Sequence, residues 1–210
     1  AIEATPPADQ VPMNDDLVEA VDPRDEYVAE AVKLASGDAA ARADLRIVLT
    51  AMHGVGAPLT SRVLEEAGFT HVSLVAAQAE PDPDFPTVPF PNPEEAGALD
   101  MAIEQARAED ADLIIAVDPD ADRCALAVPD PAAEAGWRPL SGDQIGCLLG
   151  EFLASRGIQG SLANSIVSSR LLARIAHAHG LVHHTTLTGF KWIACAPDFA
   201  AASRIASGFR

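Results

Sequence analysis

Residues 114–123 read IIAVDPDADR. A short apolar run, rich in β-branched residues and extended upstream by Asp112 and Leu113, predicts a buried strand over 112–117. Three carboxylates at alternate positions follow it, and then an arginine. In an extended segment, side chains at i, i+2 and i+4 point the same way, so Asp118, Asp120 and Asp122 converge just past the strand end. Open α/β sheets place their ligands at that end of a parallel strand.

Working outward, LRIVLT (45–50) reads as a second short strand, followed by the loop AMHGVGA and a helix ending near Gly68. HVSLVAA (71–77) reads as a third strand, and strand, helix and strand in that order imply a crossover unit in a parallel sheet. A helix over Tyr27–Leu34 would use Tyr27, Ala31 and Leu34 as its packing face. The connection EPDPDFPTVPFPNP should run extended over the surface, and Glu94–Glu109 should be helical. Residues 123–128 and 137–140 suggest a β-ribbon joined by the polar turn PDPAAEAG.

A second unit starts at Ser141. The spacing in SGDQ is that of a capping box, so a helix should begin there and stop at Gly157. NSIVSS (164–169) and LVHHTTL (181–187) are the expected strands. The helix between them shows Leu171, Leu172, Ile175 and Ala176 on one face, with Gly180 past its end. TGF is a turn, and a helix begins at Lys191. The expected fold class is therefore α/β: two consecutive α/β units with mixed, largely parallel sheets. Residues 1–23 read as a linker, 24–130 as the first unit and 131–210 as the second.

Composition limits what such a chain can do. Its 210 residues are 49% hydrophobic, with a mean hydropathy of +0.12, enough for a buried core. A formal net charge of −17 argues against nucleic acid or an anionic membrane as partner, since both require a basic surface. No apolar run is long enough to span a bilayer, and the first residues do not resemble a signal peptide. The three cysteines lack C-x-x-C spacing, which disfavours a disulfide framework or a zinc site and suits a reducing cytoplasm.

The converging carboxylates would repel one another and take up protons unless a cation sat between them. Oxygen-only ligands select a hard ion, and few protein ligands favour Mg²⁺. Arg123 is placed to hold a phosphate beside that ion by charge-assisted hydrogen bonds. A solvated acidic turn is the plain alternative. An EF-hand loop starting at Asp118 fails, because its sixth and twelfth positions hold Arg123 and Pro129 instead of Gly and Glu. A haloacid-dehalogenase-like phosphatase shares the acidic motif after an apolar strand, but Asp122 stands where Thr or Val is usual, and Lys191 has no acidic pair after it.

In order along the chain, TAMHGVG, DPDADR, WRPLSGDQIGCLLG, SIVSSRLL and TLTGFKWI resemble the α-D-phosphohexomutases, and the first of these the phosphoglucomutase-2 and phosphopentomutase branch. The resemblance runs from Thr50 to Ile193. It implies a phosphosugar mutase that moves a phosphoryl group between the 1- and 6-positions of a hexose phosphate, through a phosphoserine and a sugar 1,6-bisphosphate. It places Asp118, Asp120 and Asp122 on the Mg²⁺ loop and Arg123 on the catalytic arginine beside it. Thr188, Gly189, Phe190 and Lys191 fall on the loop that recognises the sugar. Residues 24–130 correspond to the family's second domain and 131–210 to part of the third. The family's Ser-His-Asn loop of the first domain, a glutamate-containing loop expected soon after GFKWI, and the whole fourth domain have no counterpart. The resemblance therefore implies a portion of a mutase, inactive alone and lacking domains one and four. A non-catalytic Mg²⁺- or phosphosugar-binding module is the alternative. HGVG is too short of glycine for a dinucleotide motif; Ser168 and Ser169 read as a helix cap, and His53 as a turn residue.

Overall fold

In the computed structural model, residues 6–7, 10–11, 14–133 and 135–196 are described. A five-stranded sheet has the order β2-β1-β3-β4-β5, built from β1 (Arg46–Thr50), β2 (His71–Leu74), β3 (Leu113–Val117), β4 (Cys124–Pro129) and β5 (Trp137–Pro139). β1 lies parallel to both β2 and β3, with Thr50 opposite Ala116, and β4 and β5 continue the sheet antiparallel. The chain is thus α/β with a mostly parallel centre, as the alternation of strand and helix patterns implies.

Helices α3 (Ala57–Glu66) and α4 (Asp100–Ala108) pack on this sheet and α1 (Arg24–Val32) packs on α3, while α2 (Ala39–Asp44) is a short helix capped by the Asp38 side chain. Ala102, Ile103 and Ala106 of α4 pack on Val48, Ile114, Ala116, Ala125, Ala127 and Trp137. Ala57 of α3 packs with Ala51, Val117 and Leu74. Because Ala116 and Val117 are neighbours on one strand, these two clusters occupy opposite faces.

A second sheet pairs β6 (Ser161–Ser165) with β7 (Val182–Thr186) in parallel. Helices α5 (Gly142–Ser155) and α6 (Leu171–Ala178) cover it through Cys147, Leu162, Leu172 and Ala176, and α7 (Phe190–Ala194) follows β7. The capping box forms as its spacing implies: Ser141 Oγ accepts from Gln144 N, and Gln144 Oε1 accepts from Ser141 N. Gly157 and Gly180 end α5 and α6 with φ of 72° and 69°, where a Cβ would be strained.

Five local expectations are corrected. Helix α1 buries Val28, while Tyr27 and Leu34 are exposed, because it packs on α3 along a different stripe. The helix expected from Glu94 starts only at Asp100; Gly97 has φ 83°, and successive turns occupy 92–98. The proline-rich connection is a chain of turns with Val88 buried, not an extended strap. β2 stops at Leu74, and Ala76–Gln78 forms a 3-10 turn. The strand expected at 164–169 is Ser161–Ser165, since pairing with β7 ends at Thr186; Ile166 and Val167 point out into solvent. The β-ribbon expected from residues 123–128 and 137–140 is present as β4 and β5, and β5 continues the first sheet with Trp137 in its core.

Candidate functional site

Strands β1 and β3 end side by side, and the acidic loop leaves from the end of β3. Asp118 is 2% exposed, and its position is fixed by Arg123. The Arg123 main-chain N–H donates to Asp118 Oδ1 at 3.0 Å, and Nε donates to Oδ2 at 2.9 Å. The loop closes through Ala121 N donating to the Asp118 carbonyl at 2.9 Å, with Ala121 at φ 58°. Asp120 and Asp122 are exposed. One carboxylate oxygen from each of the three aspartates lies within 4.8 Å of the others, the only cluster of this kind among the described residues.

The electrostatics follow from this geometry. Burial alone would push the Asp118 carboxyl up, but the hydrogen bonds and charge of Arg123 outweigh it, and the group sits below the ordinary carboxylate value. Asp122 is pushed up, first by the charge of Asp120, then by burial and by Asp118. Carboxylates that repel one another across an open gap, with oxygen donors only, fit a small hard cation. Arg123 also lies 3.6 Å from Asp122 Oδ1, and Nη1 makes a long contact of 3.5 Å with Asn92 Oδ1. Its side chain is 57% exposed.

Thr188, Gly189, Phe190 and Lys191 stand apart from this cluster in the fold, following β7 of the second sheet. Gly189 has φ 127° and leads into α7, its carbonyl accepting from Trp192 N and Ile193 N. Phe190 is 85% exposed. Lys191 Nζ sits 5.3 Å above the Trp192 ring. Ser169 Oγ accepts from Leu171 N at the start of α6, whereas Ser168 pairs with Ser165.

The sequence gives HGVG no place in the candidate site, yet these residues lie against the acidic loop. Val55 N donates to the Pro119 carbonyl at 2.9 Å. His53 is a turn residue, as expected, but a buried one, hydrogen-bonded through Nε2 to Thr87 Oγ1 at 2.8 Å. The signal present in the sequence was two glycines in the loop after one parallel strand, facing the loop after its neighbour.

Comparison with known proteins bears on this arrangement. The family described as Phosphoglucomutase/phosphomannomutase, alpha/beta/alpha domain II, matches residues 25–132, and its domain III counterpart matches residues 141–197. The chain belongs to the phosphoglucomutase/phosphomannomutase family. A protein named "Probable phosphomannomutase" from Haemophilus influenzae is 48% identical over 185 residues, covering 87% of this chain and 36% of that protein. The phosphoribomutase of Saccharomyces cerevisiae is 41% identical over 161 residues, 70% of this chain and 26% of its own length. A crystal structure of a family protein from Burkholderia thailandensis superposes with a TM-score of 0.66 at 26% identity, covering 81% of this chain and 34% of the other. The chain spans about a quarter to a third of the length of these relatives. Family membership displaces the dehalogenase-like alternative. Among the described residues, no helix is long and apolar enough to cross a membrane.

Proposed function

We propose that this chain carries the metal loop and the sugar-recognition loop of a phosphosugar mutase. The reaction is transfer of a phosphoryl group between the 1- and 6-positions of a hexose phosphate through a phosphoserine and a sugar 1,6-bisphosphate, with those parts of the enzyme outside domains two and three supplied elsewhere. The observation that carries the reading is the convergence of Asp118, Asp120 and Asp122 beside Arg123 at the end of a parallel strand. Asp118, Asp120 and Asp122 would hold Mg²⁺, which when bound would neutralise charge on a phosphoryl group during transfer.

The chain's own residues have distinct tasks in this account. Arg123 fixes Asp118 through its main-chain N–H and Nε, leaving its Nη groups on an accessible side chain to donate to a phosphoryl oxygen. Thr188 and Lys191 meet the sugar phosphate, with Gly189 giving the turn that presents them and Phe190 offering an exposed ring. We place the division between the mutase second domain and the partial third at residues 130 and 131, with the β5 segment crossing back to the first sheet, and residues 1–23 as a linker. A cytoplasmic setting goes with this reaction.

The test is a coupled mutase assay with Mg²⁺, a sugar bisphosphate activator and glucose, mannose or ribose 1-phosphate, run on this chain and on the chain joined to a mutase first and fourth domain. Turnover in the joined protein alone supports the proposal and names the sugar. Metal and sugar phosphate binding with no turnover in either would favour the non-catalytic module.

A further inference from the structure

The loop after β1 lies directly beneath the acidic loop and is held in a costly shape. Met52 and His53, neither of them glycine, both take left-handed backbone conformations, with φ of 45° and 64°. A polar network fixes them. Thr50 Oγ1 donates to Gln78 Oε1 at 2.6 Å and accepts from Met52 N at 3.1 Å. Gln78 Nε2 donates to Thr87 Oγ1 at 2.8 Å, the same atom that His53 Nε2 meets, and the Gln78 carbonyl accepts from His53 N at 3.0 Å. Thr50 and Gln78 are fully buried and His53 nearly so. A satisfied buried network of this kind over-determines a backbone shape that would otherwise relax.

The residues that follow touch the backbone of the acidic loop. A Cβ at Gly54 would stand 2.4 Å from Pro119 Cα and 2.6 Å from its carbonyl oxygen, and one at Gly56 would stand 2.9 Å from Ala121 Cβ. Pro119 and Ala121 are the two residues interleaved among the three aspartates, so their height decides where the carboxylates meet. We propose that Gly54, Gln78 and His53 are positioning residues for the carboxylate triad, acting through Pro119 and Ala121 without contacting the ion. This rests on the reading of Asp118, Asp120 and Asp122 as a metal site.

The test uses Mn²⁺ as the probe, titrated into the 210-residue chain and followed by the electron paramagnetic resonance of the free ion, with a thermal melt on each sample. The variants are Gly54→Ala, Gln78→Met and Thr87→Val, and Ile103→Ala in the α4 core is the control for lost stability alone. Loss of a supporting partner typically weakens metal binding by about tenfold or more, and that is the effect expected for all three variants. Ile103→Ala should hold its Mn²⁺ affinity within about twofold while melting at least as early. Affinities within about twofold of the parent in the three variants, or losses that simply follow melting temperature and include Ile103→Ala, would overturn the proposal. Thr87 is exposed, so Thr87→Val decides the matter alone if Gly54→Ala does not fold. Absence of Mn²⁺ binding in the parent chain would instead overturn the metal-site reading, and this inference with it.

Discussion

Arg123 grips Asp118 twice, main-chain N to Oδ1 at 3.0 Å and Nε to Oδ2 at 2.9 Å, across the four residues of the loop between them. The carboxylate is buried and the guanidinium is more than half exposed. The pair therefore does more for the shape of the loop than a surface ion pair would, because its acidic half has little water to fall back on.

Arg123→Ala keeps the main-chain donor but strands Asp118 Oδ2. The expected loss of stability is about 1–3 kcal/mol, the cost of an unsatisfied buried group. Arg123→Lys should recover only part of it, since an ammonium cannot reproduce the geometry of Nε. Urea unfolding of the three proteins checks this; equal midpoints would show that the pair does not hold the loop.

Lys191→Ala should leave folding nearly unchanged. The contact it removes, an exposed ammonium over Trp192, is worth about 0.5–1 kcal/mol. In a joined, active mutase the same change should raise KM for the sugar phosphate by more than it lowers stability. Unchanged KM would remove Lys191 from the recognition loop.

Two glycines separate contacts that can yield from contacts that cannot. A Cβ at Gly150 in α5 would meet the end of the Leu172 side chain at 2.4 Å, which can shift, and alanine improves helix propensity by about 1 kcal/mol. Gly150→Ala is expected to cost no more than about 1–2 kcal/mol after that gain. Gly54→Ala meets the main chain of Pro119, which cannot move aside, and should cost on the order of 3 kcal/mol. Denaturant midpoints of the two variants test the order; a reversal would contradict the close approach of the two loops.

Much of the fold could be read from sequence where one residue dictates one local geometry. The capping box at Ser141 and Gln144, the glycine stops at 157 and 180, and the strand feeding Asp118 are of this kind. The misplacements share another cause. SLANS looks polar yet forms β6 because β7 is there to pair with it, whereas the apolar Ile166 and Val167 lie past the end of that pairing. Val28, not Tyr27, is buried because α3 decides which stripe of α1 is covered. The convergence of Asp118, Asp120 and Asp122 was legible because three carboxylates at alternate positions appear in the side chains themselves. Gly54 was not, since its contribution is a side chain that is absent, and its neighbour Pro119 lies far along the chain.

His183 gives the second unit a pH dependence. Burial, and then the charge of His184, lower its pKa below the ordinary value, so the folded chain favours the neutral ring that hydrogen-bonds Asn164 Oδ1 at 3.0 Å. The unfolded chain takes up a proton near pH 6.5, the folded chain only at lower pH. Stability is thus full above about pH 6.5 and declines as pH falls towards the folded value. His183→Gln, which keeps a donor for Asn164, should flatten this decline in denaturation curves taken between about pH 7 and pH 5. An undiminished slope would assign the dependence to other groups.

The central claim is that the acidic loop binds a divalent cation, and calorimetric titration of Mg²⁺ into this chain and its Asp120→Asn variant tests it most directly. Asp120 is exposed and its substitution is isosteric, so the fold should survive. Saturable binding of one ion per chain is expected, weakened by about tenfold or more in Asp120→Asn, and the same change should abolish mutase turnover in the joined enzyme. Equal Mg²⁺ affinity in the two proteins, or no saturable heat in either, would contradict it.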